Sequence, residues 1–253
     1  MLRAHARGLL ALMIVGIAAS AHAQQPPPAQ APAQPEHRWS ANFGIGWDKG
    51  ISGNINSGAI GVLNGQTVVI LRNKYEDVYG TGLHISFGGG YMYREDEEFR
   101  LSFTFQSLDA DLVRMGDMGV SNLYGQYDDY QSFGMEFGYR HYGDVTSTIR
   151  AYAEGNLGIA FVDETDIVLA APQINFQGTA TDFYDRTAAF TLGVNVGLLF
   201  PASPKVDGYV QAGVRYVTGM SPVDAFVGTG LEHINNKSGR WAIPITAGVR
   251  VRF

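Results

Sequence analysis

Apolar and polar residues alternate along the last fourteen residues of the chain, from Arg240 to Phe253. One face carries the large apolar side chains, namely Trp241, Ile243, Ile245, Ala247, Val249, Val251 and Phe253. The other face carries Ala242, Pro244, Thr246, Gly248, Arg250 and Arg252. Because successive side chains of a β-strand point to opposite faces, this period of two predicts a strand that lies between two different environments.

The same alternation recurs in seven earlier segments, so the sequence predicts eight strands. They cover about residues 38–47, 81–94, 99–106, 131–142, 149–161, 190–200, 210–216 and 240–253. Short connections follow the second, fourth and sixth strands, whereas long connections span 48–80, 107–130, 162–186 and 218–239. The short connection 201–207 contains two prolines, and we expect it to leave the sheet.

Strand length, strand number and connection length together predict an all-β fold, an eight-stranded antiparallel up-and-down transmembrane β-barrel. Transmembrane strands are tilted and about nine to eleven residues long. Bacterial barrels have an even number of strands, short periplasmic turns and long external loops. Both chain ends would then lie in the periplasm.

The composition of the two faces favours a membrane barrel over a soluble one. The apolar face is rich in aromatic rings, including Phe43, Phe87, Phe103, Phe133 and Phe137. Eight strands leave an interior just wide enough for side chains to fill, and these rings would overfill it. The opposite face is rich in Gly, Ser and Thr, and every lysine lies outside the strands. We therefore expect the rings to face lipid and the sheet to close, since every backbone group must be paired there.

The chain ends in V-R-V-R-F, an alternating strand that closes on an aromatic residue. This end resembles the assembly signal of bacterial outer-membrane barrels. Residues 38–253 as a whole resemble the small eight-stranded outer-membrane β-barrel family, of the OmpA/OmpX-like or OmpW-like kind. The resemblance implies a location in the outer membrane of a Gram-negative bacterium and contact of the last strand with the barrel-assembly machinery. We do not expect the soluble peptidoglycan-binding domain of OmpA-like chains, and we carry over no functional residues.

The amino terminus has the pattern of a secretory signal peptide over residues 1–23. Arg3 and Arg7 precede an apolar stretch, and Ala21-His22-Ala23 has the form of a cleavage site. Residues 24–37 form a Pro/Gln/Ala-rich segment that predicts an extended periplasmic tether. The chain is acidic, with a net charge of -6, which argues against a nucleic-acid partner. It has no cysteine, so disulfides and thiol chemistry are excluded.

Charged residues on the small-residue face predict an ion-pair cluster inside the barrel. Its expected members are Arg100, Glu136, Arg140, Arg150, Glu154, Arg215, Arg250 and Arg252. In the hairpin of the fourth and fifth strands, Glu136 and Arg140 can face Arg150 and Glu154 in crossed pairs. Buried charges persist when they are paired and hydrogen-bonded, so the cluster would plug the lumen. The alternative is a narrow porin-like channel that prefers anions, because Arg outnumbers Glu toward the periplasmic mouth.

Aromatic residues near the strand ends predict two girdles at the membrane interfaces. Trp39, Tyr139 and Phe253 would mark the periplasmic boundary, and Trp47, Phe161, Tyr216 and Trp241 the external one.

The sequence predicts no enzyme, no cofactor and no metal site. His84 and Ser86 share the inner face of one strand, but they point away from lipid, so a lipid-modifying barrel enzyme is the less favoured alternative. Segments 107–130 and 162–186 are acidic and could meet divalent cations that bridge lipopolysaccharide phosphates, or a partner. We expect an integral outer-membrane protein, in contact with outer-membrane lipid and lipopolysaccharide, with a structural or a surface recognition and adhesion role through its external loops.

Overall fold

The computed structural model describes residues 37–235 and 238–253. The predicted signal peptide, and the tether up to residue 36, lie outside the described residues. Eight long strands form a closed antiparallel barrel in the order β1, β16, β14, β13, β9, β8, β5, β4. Their bounds are β1 (Trp39–Ser52), β4 (Thr81–Arg94), β5 (Glu97–Leu108), β8 (Tyr130–Asp144), β9 (Arg150–Val162), β13 (Thr187–Ser203), β14 (Val206–Val217) and β16 (Arg240–Arg252). The predicted fold class and all eight predicted strands are confirmed.

The first and last strands close the barrel by pairing with each other. Phe43 lies opposite Val249, and Trp47 lies opposite Ile245. Beyond the last paired residues, the backbone amides of Trp39 and Phe253 each donate to the other's carbonyl oxygen, at 3.1 and 2.9 Å. Each strand therefore has a paired neighbour on both sides, as a sheet that crosses a lipid bilayer requires.

The large apolar side chains of the barrel face outward, as the sequence predicts. Along β1 the exposed residues alternate strictly with buried ones, and Phe43 and Trp47 are 50% and 64% exposed. The same holds for Phe133 and Phe137 of β8. The inward positions hold Gly, Ser, Thr and charged side chains that are almost fully buried. An apolar outer wall around a polar interior is the arrangement of a barrel in a membrane.

One predicted turn is wrong, since segment 201–207 stays largely in the sheet. Pro201 lies within β13 and pairs with Asp207 of β14, next to a bulge. The pairs between β13 and β9 end at Leu199, so Pro201 lies beyond the last of them. Strand ends and bulges are the places where a sheet accepts a proline, because the missing N–H breaks no continuing ladder there. The turn itself reduces to Pro204 and Lys205.

The long connections fold into a second sheet outside the barrel, which we call the cap. It contains β2 (Ala59–Leu63), β3 (Gln66–Ile70), β6 (Val113–Met118), β7 (Ser121–Tyr127), β10 (Thr165–Ala171), β12 (Thr181–Asp185) and β15 (Ser221–Pro222). The strand order is β15, β12, β10, β7, β6, β3, β2, and β11 (Phe176–Gln177) pairs with β10. A single helical turn, α1 (Tyr75–Val78), leads into β4, and a 3-10 turn, Pro172–Ile174, follows β10. No helix of the described residues is long and apolar enough to cross a membrane.

Two apolar cores lie at opposite ends of the barrel. The larger core joins the cap to the external barrel end, since it packs cap residues such as Met115, Leu123 and Phe183 with Leu108 and Val162 of the barrel. The smaller core fills the periplasmic end with Met92, Tyr142, Tyr152, Leu199 and Tyr209. The polar lumen is thus enclosed between two apolar layers.

Candidate functional site

The periplasmic half of the lumen holds a network of three arginines and two glutamates. Glu154 accepts hydrogen bonds from Arg100 and Arg140, each with a closest N–O distance of 2.6 Å. Glu98 lies 2.9 Å from Arg250 and 3.8 Å from Arg140, so Arg140 links the two carboxylates. All five side chains are at most 6% exposed. Several charge-assisted bonds to each carboxylate offset the cost of burying it.

Neutral side chains complete this half of the network. Ser40 donates a 2.7 Å bond to Glu98, and the Tyr142 hydroxyl donates to the other oxygen of the same carboxylate. Arg100 also donates to Asn42 at 2.6 Å. The Arg140 guanidinium carbon lies 3.8 Å from the centre of the Tyr152 ring, a cation–π distance. Glu98 therefore has four polar partners, which come from three different strands.

The external half of the lumen is organised around Asp48. Arg215 donates to this carboxylate and lies 3.5 Å from Glu136, while Arg240 approaches Asp48 at 3.9 Å. Gln106 donates to Asp48 and accepts a 3.1 Å bond from Arg240. Asp48 is fully buried, and Arg240 is only 1% exposed. This second network neutralises the charge at the top of the lumen.

Arg240 connects the lumen to the cap. Its guanidinium carbon lies 4.1 Å from the ring centre of Tyr130 and 5.8 Å from that of Tyr75, which belongs to α1. Both tyrosines are part of the larger apolar core. Because burial keeps water away from the ring, the pKa of the Tyr75 hydroxyl is raised well above its usual value. The Tyr75 and Tyr130 rings thus cover the external barrel end, and they lie over Arg240, which is paired with Asp48.

The structure brings six of the eight predicted cluster residues into these two networks, namely Arg100, Glu136, Arg140, Glu154, Arg215 and Arg250. Of the crossed pairs, Arg140 does contact Glu154, but Arg150 does not reach Glu136. In the hairpin register Glu136 faces Gly158, and Arg150 faces Asp144 near the turn. Arg150 binds Asp144 at 3.1 Å there.

Arg252 also lies outside the two networks. It binds Asp207 at 3.1 Å, at the periplasmic rim. The sequence assigns Asp207 to a turn, but it lies at the start of β14 and pairs with Pro201.

Sequence reasoning missed three network members, Asp48, Glu98 and Arg240. Each lies at the end of a predicted strand, and the first two were assigned to a loop and a turn. The alternation does contain the signal, since Asp48 continues the inward series of β1 and Glu98 precedes Arg100 by two residues. With these residues the networks hold five arginines and four carboxylates, so the lumen is close to neutral.

Little open space remains between the two networks. A cavity of about 30 Å³ lies between them, lined by Arg100, Glu136, Glu154 and Arg215 among others. A cavity needs about 10–15 Å³ to hold one water molecule, so this cavity holds about two waters. His84 and Ser86 also line it and are 4% and 7% exposed. They lie together, as predicted, but on the lumen side and away from lipid.

The predicted interface aromatics all lie on the outer wall. Trp39, Trp47, Phe161, Trp241 and Phe253 are between 44% and 64% exposed. Tyr139 is 40% exposed, and Tyr216 packs on Trp241 with ring centres 5.0 Å apart. The segment from Trp241 in β16 to Phe253, the residue after β16, corresponds to roughly 40 Å of extended chain. At a tilt of about 40° this corresponds to roughly 30 Å across the membrane, which supports the proposed position of the girdles.

Acidic residues surround the cap where it joins the barrel. Asp166 of β10 lies opposite Asp182 of β12, and its backbone amide donates to the Asp128 carboxylate at 3.2 Å. Partial desolvation, with Asp128, Asp182 and Glu164 nearby, raises the pKa of Asp166. The part of the chain that the structure describes has no group of three His, Asp or Glu residues positioned to hold a metal ion. We call this region the acidic base of the cap.

At the opposite end of the cap three turns contain no charged residue, and we call these turns the distal tip; the Arg114–Asp117 ion pair of β6 lies beside them. The tip consists of the β2–β3 turn at Asn64-Gly65, the β6–β7 turn at Gly119-Val120 and the 3-10 turn Pro172–Ile174. The surrounding segments 59–70, 118–127 and 167–181 contain no charged residue.

Direct hydrogen bonds hold the three turns of the distal tip together. The Gly119 amide donates to the Thr67 carbonyl at 2.9 Å, and Ser121 donates to Gln173 at 2.5 Å. Val120 is fully exposed at this tip, and Ile174 is 40% exposed. The tip is therefore a connected polar and apolar surface without charge.

Replacing Glu98 by Gln is expected to destabilise the barrel by about 3–5 kcal/mol, because Arg140 and Arg250 would keep buried charge without a partner. Glu97→Gln is the matched control, since Glu97 is a strand neighbour that forms a surface pair with Arg94 at 3.6 Å. It should cost less than about 1 kcal/mol. Urea unfolding in detergent, followed by tryptophan fluorescence, measures both. Equal losses for the two variants would contradict the role of Glu98 in the network.

Asp166→Asn is expected to stabilise the cap at neutral pH. The folded pKa of Asp166 is raised, so its ionised form costs stability above that pKa, and the cost disappears as the pH falls through it. The difference between variant and wild type should therefore shrink from about pH 7 toward pH 4. Hydrogen exchange of β10 amides measures it, with Asp224→Asn as a charge-matched control outside the cluster. A difference that does not depend on pH would contradict the prediction.

Comparison with known proteins gives structural likeness only. No protein-family model matches the chain, and no curated protein matches it. Neisserial surface protein A has 12% sequence identity and a TM-score of 0.46, and the match covers 85% of this chain and 97% of that one. A major outer membrane protein from Thermus thermophilus has 15% identity and a TM-score of 0.48, covering 84% and 99%. The outer membrane protease OmpT from Escherichia coli has 8% identity and a TM-score of 0.43, covering 85% and 97%.

These likenesses are too distant to transfer an activity, and one of the three proteins is a protease. The chain's own geometry decides its class. Its eight strands form a closed ladder, its outer wall is apolar, and its interior is polar and paired. A closed sheet of this kind satisfies every backbone group within lipid. The described chain thus has the fold of a small eight-stranded transmembrane β-barrel, with an apolar outer wall and a paired polar interior.

Proposed function

We propose that this barrel is non-conducting and non-enzymatic, and that it serves surface recognition or adhesion through the distal tip of its cap. The observation that carries the proposal is the packing of the cap. The long connections share one apolar core with the external barrel end, which fixes three turns next to one another. A rigid surface loses little conformational entropy when it binds. The tip is therefore suited to present a preformed contact surface.

The chemistry of the tip favours a partner surface that is apolar and uncharged. Val120, Ile174 and the nearby Val62 of β2 are exposed, and the polar side chains around them are neutral amides and hydroxyls. Exposed apolar residues that cluster within a polar rim are typical of contact sites. The acid next to the β6–β7 turn, Asp117, is paired with Arg114 at 2.7 Å, and the three turns themselves carry no charge that would repel a partner.

The acidic base is proposed to contact lipopolysaccharide. Asp128 and Asp182 lie next to Asp166, where the cap joins the barrel, and Glu164 is close to it in the chain; with the outer wall in lipid, we expect lipid phosphates near this level. The described residues hold no preformed metal site there, so divalent cations would be shared between these carboxylates and lipid phosphates. The last strand, which ends at Phe253, is proposed as the segment that the barrel-assembly machinery contacts.

The second candidate function, a narrow channel for anions, has one supporting feature. The periplasmic mouth opens into a funnel of about 890 Å³ that contains Arg250, Arg252 and Lys205. The funnel also contains Glu95, Asp144 and Asp207, and the apolar side chains of Met92 and Leu199 lie at its inner end. Above it the lumen narrows to the two-water cavity between the paired networks. This arrangement favours the closed barrel over the channel.

The alternative of a lipid-modifying enzyme has weaker support. Catalysis by Ser86 would require a base within hydrogen-bond reach and a lipid at the nucleophile. His84 and Ser86 both face the enclosed cavity, and the Nδ1 atom of His84 has no hydrogen-bond partner among the described residues. The barrel wall separates the pair from lipid.

Val120→Asp is expected to reduce attachment of proteoliposomes carrying this barrel to alkyl-coated beads by at least tenfold, because the charge must be desolvated on contact. Hydroxyl-coated beads measure attachment that does not depend on apolar contact. Leu112→Asp is the matched control, since Leu112 is 62% exposed but lies where β6 begins, far along the strand from the tip. Equal attachment of Val120→Asp and wild type would reject recognition through the tip.

A further inference from the structure

The membrane-facing wall has a groove on its periplasmic half. Its floor is a cross-strand row of Ala41 on β1, Gly89 on β4 and Leu101 on β5. The row above contains Phe43, Phe87 and Phe103, and the row below contains Trp39, Tyr91 and Phe99. Two of the smallest residues thus lie between two rows of rings. The groove has a volume of about 610 Å³, within the range of small-molecule sites.

Crowding does not explain the glycine in the floor. An added Cβ at the neighbour Gly88 would lie 2.2 Å from the Leu101 carbonyl oxygen, so this lumen-facing position requires glycine. At Gly90 it would lie 2.1 Å from the Glu98 carboxylate, so that side chain would have to move. A Cβ at Gly89 would meet only the Ser40 carbonyl oxygen within 4 Å, at the ordinary distance of 3.5 Å. Gly89 therefore leaves open space on the outer wall that a larger side chain could fill without strain.

Aromatic contacts keep the rings away from this space. Phe87 stacks on Phe103 with ring centres 5.3 Å apart, and Phe99 stacks on Phe137 at 6.0 Å. Trp39 packs against Tyr91 at 4.9 Å. Rings held by partners of their own do not need to collapse into the groove.

The periplasmic end of the groove has polar and cationic groups. The Tyr91 hydroxyl accepts a 3.2 Å hydrogen bond from Arg38, next to the Trp39 indole. A cation beside interfacial Trp and Tyr side chains is suited to an anionic lipid headgroup. From Phe87 to Tyr91 the groove runs roughly 13 Å along the strand, which at a tilt of about 40° is about 10 Å across the membrane. It therefore lies within the ~15 Å hydrocarbon depth of one leaflet.

We propose that this groove binds one acyl chain of an anionic phospholipid of the periplasmic leaflet, with the lipid phosphate beside Arg38. The occupant follows from position, since the outer wall at this depth meets hydrocarbon and the rim meets headgroups. This inference does not depend on the function proposed for the cap, because it concerns the opposite end of the barrel.

The test is native mass spectrometry of the folded full-length barrel in detergent, titrated with phosphatidylglycerol. Wild type should retain one phospholipid, and Gly89→Leu should bind it at least tenfold more weakly because the leucine fills the groove. Gly155→Leu is the matched control, because Gly155 also faces outward with no atom within 4 Å of an added Cβ, but lies on β9. Ala41→Leu fills the same groove from β1 and replaces Gly89→Leu if that variant does not fold.

Arg38→Gln should weaken phosphatidylglycerol binding several-fold more than it weakens binding of neutral detergent. Equal lipid retention by wild type, Gly89→Leu and Ala41→Leu would overturn the proposal. A wild-type dimer that both groove-filling variants convert to monomer would also overturn it, since the groove would then be an interface between two barrels. Preferential retention of lipid A over phosphatidylglycerol would reject the periplasmic leaflet as the source.

Discussion

The structure depends on the requirement that every backbone N–H and C=O group in lipid has a partner within the protein. The pairing of β1 with β16 meets this requirement, because it leaves the sheet without an open edge. Closure with eight strands then fixes a narrow lumen. Glycines such as Gly88 and Gly46 are needed where the inner wall has no room for a side chain. The charged residues that do enter the lumen must pair with one another, since little water is available to them.

The paired networks and the two apolar cores fill most of the lumen, and on this basis we propose that the barrel does not conduct. Arg140 links Glu98 to Glu154 in the periplasmic half, and Arg215 links Asp48 to Glu136 in the external half. Each network is formed by strands that are distant in sequence. The loss of one carboxylate would therefore affect several strands at once. A lumen built this way contributes to the stability of the barrel, and this is why we propose that its function lies at the external surface.

The strands were predictable because their signal is local. A period of two needs only the order of residues along one segment, and the contrast between rings and small residues gave the orientation of the faces. The ends of the strands were less predictable. The pattern around Pro201 indicated a break in the sheet, yet a bulge at the strand end accommodates it. Asp48, Glu98 and Arg240 were not predicted as cluster members, although each is part of a lumen network.

The cap could not be derived from the sequence, because its pairs join connections that are far apart in the chain. Val68 of β3 pairs with Met118 of β6, and Leu169 of β10 pairs with Gly125 of β7. Burial alternates along β7 and β10, but the buried positions include Ser121, Gly125 and Thr165, so the sequence shows little alternation of apolar and polar residues. The partner of Arg150 also could not be derived from the alternation. Alternation predicts that Arg150 and Glu136 face the same side, but the hairpin register places Arg150 opposite Asp144.

Single-channel recording in a planar lipid bilayer tests the central claim, that paired charges and apolar layers close the barrel, most directly. Folding of the same preparation is first established by a heat-dependent shift in gel mobility. The account predicts no conductance steps from the folded wild-type barrel. Steady steps with anion selectivity, altered by Arg140→Ala or Arg250→Ala, would contradict it and would establish a continuous water path through the lumen.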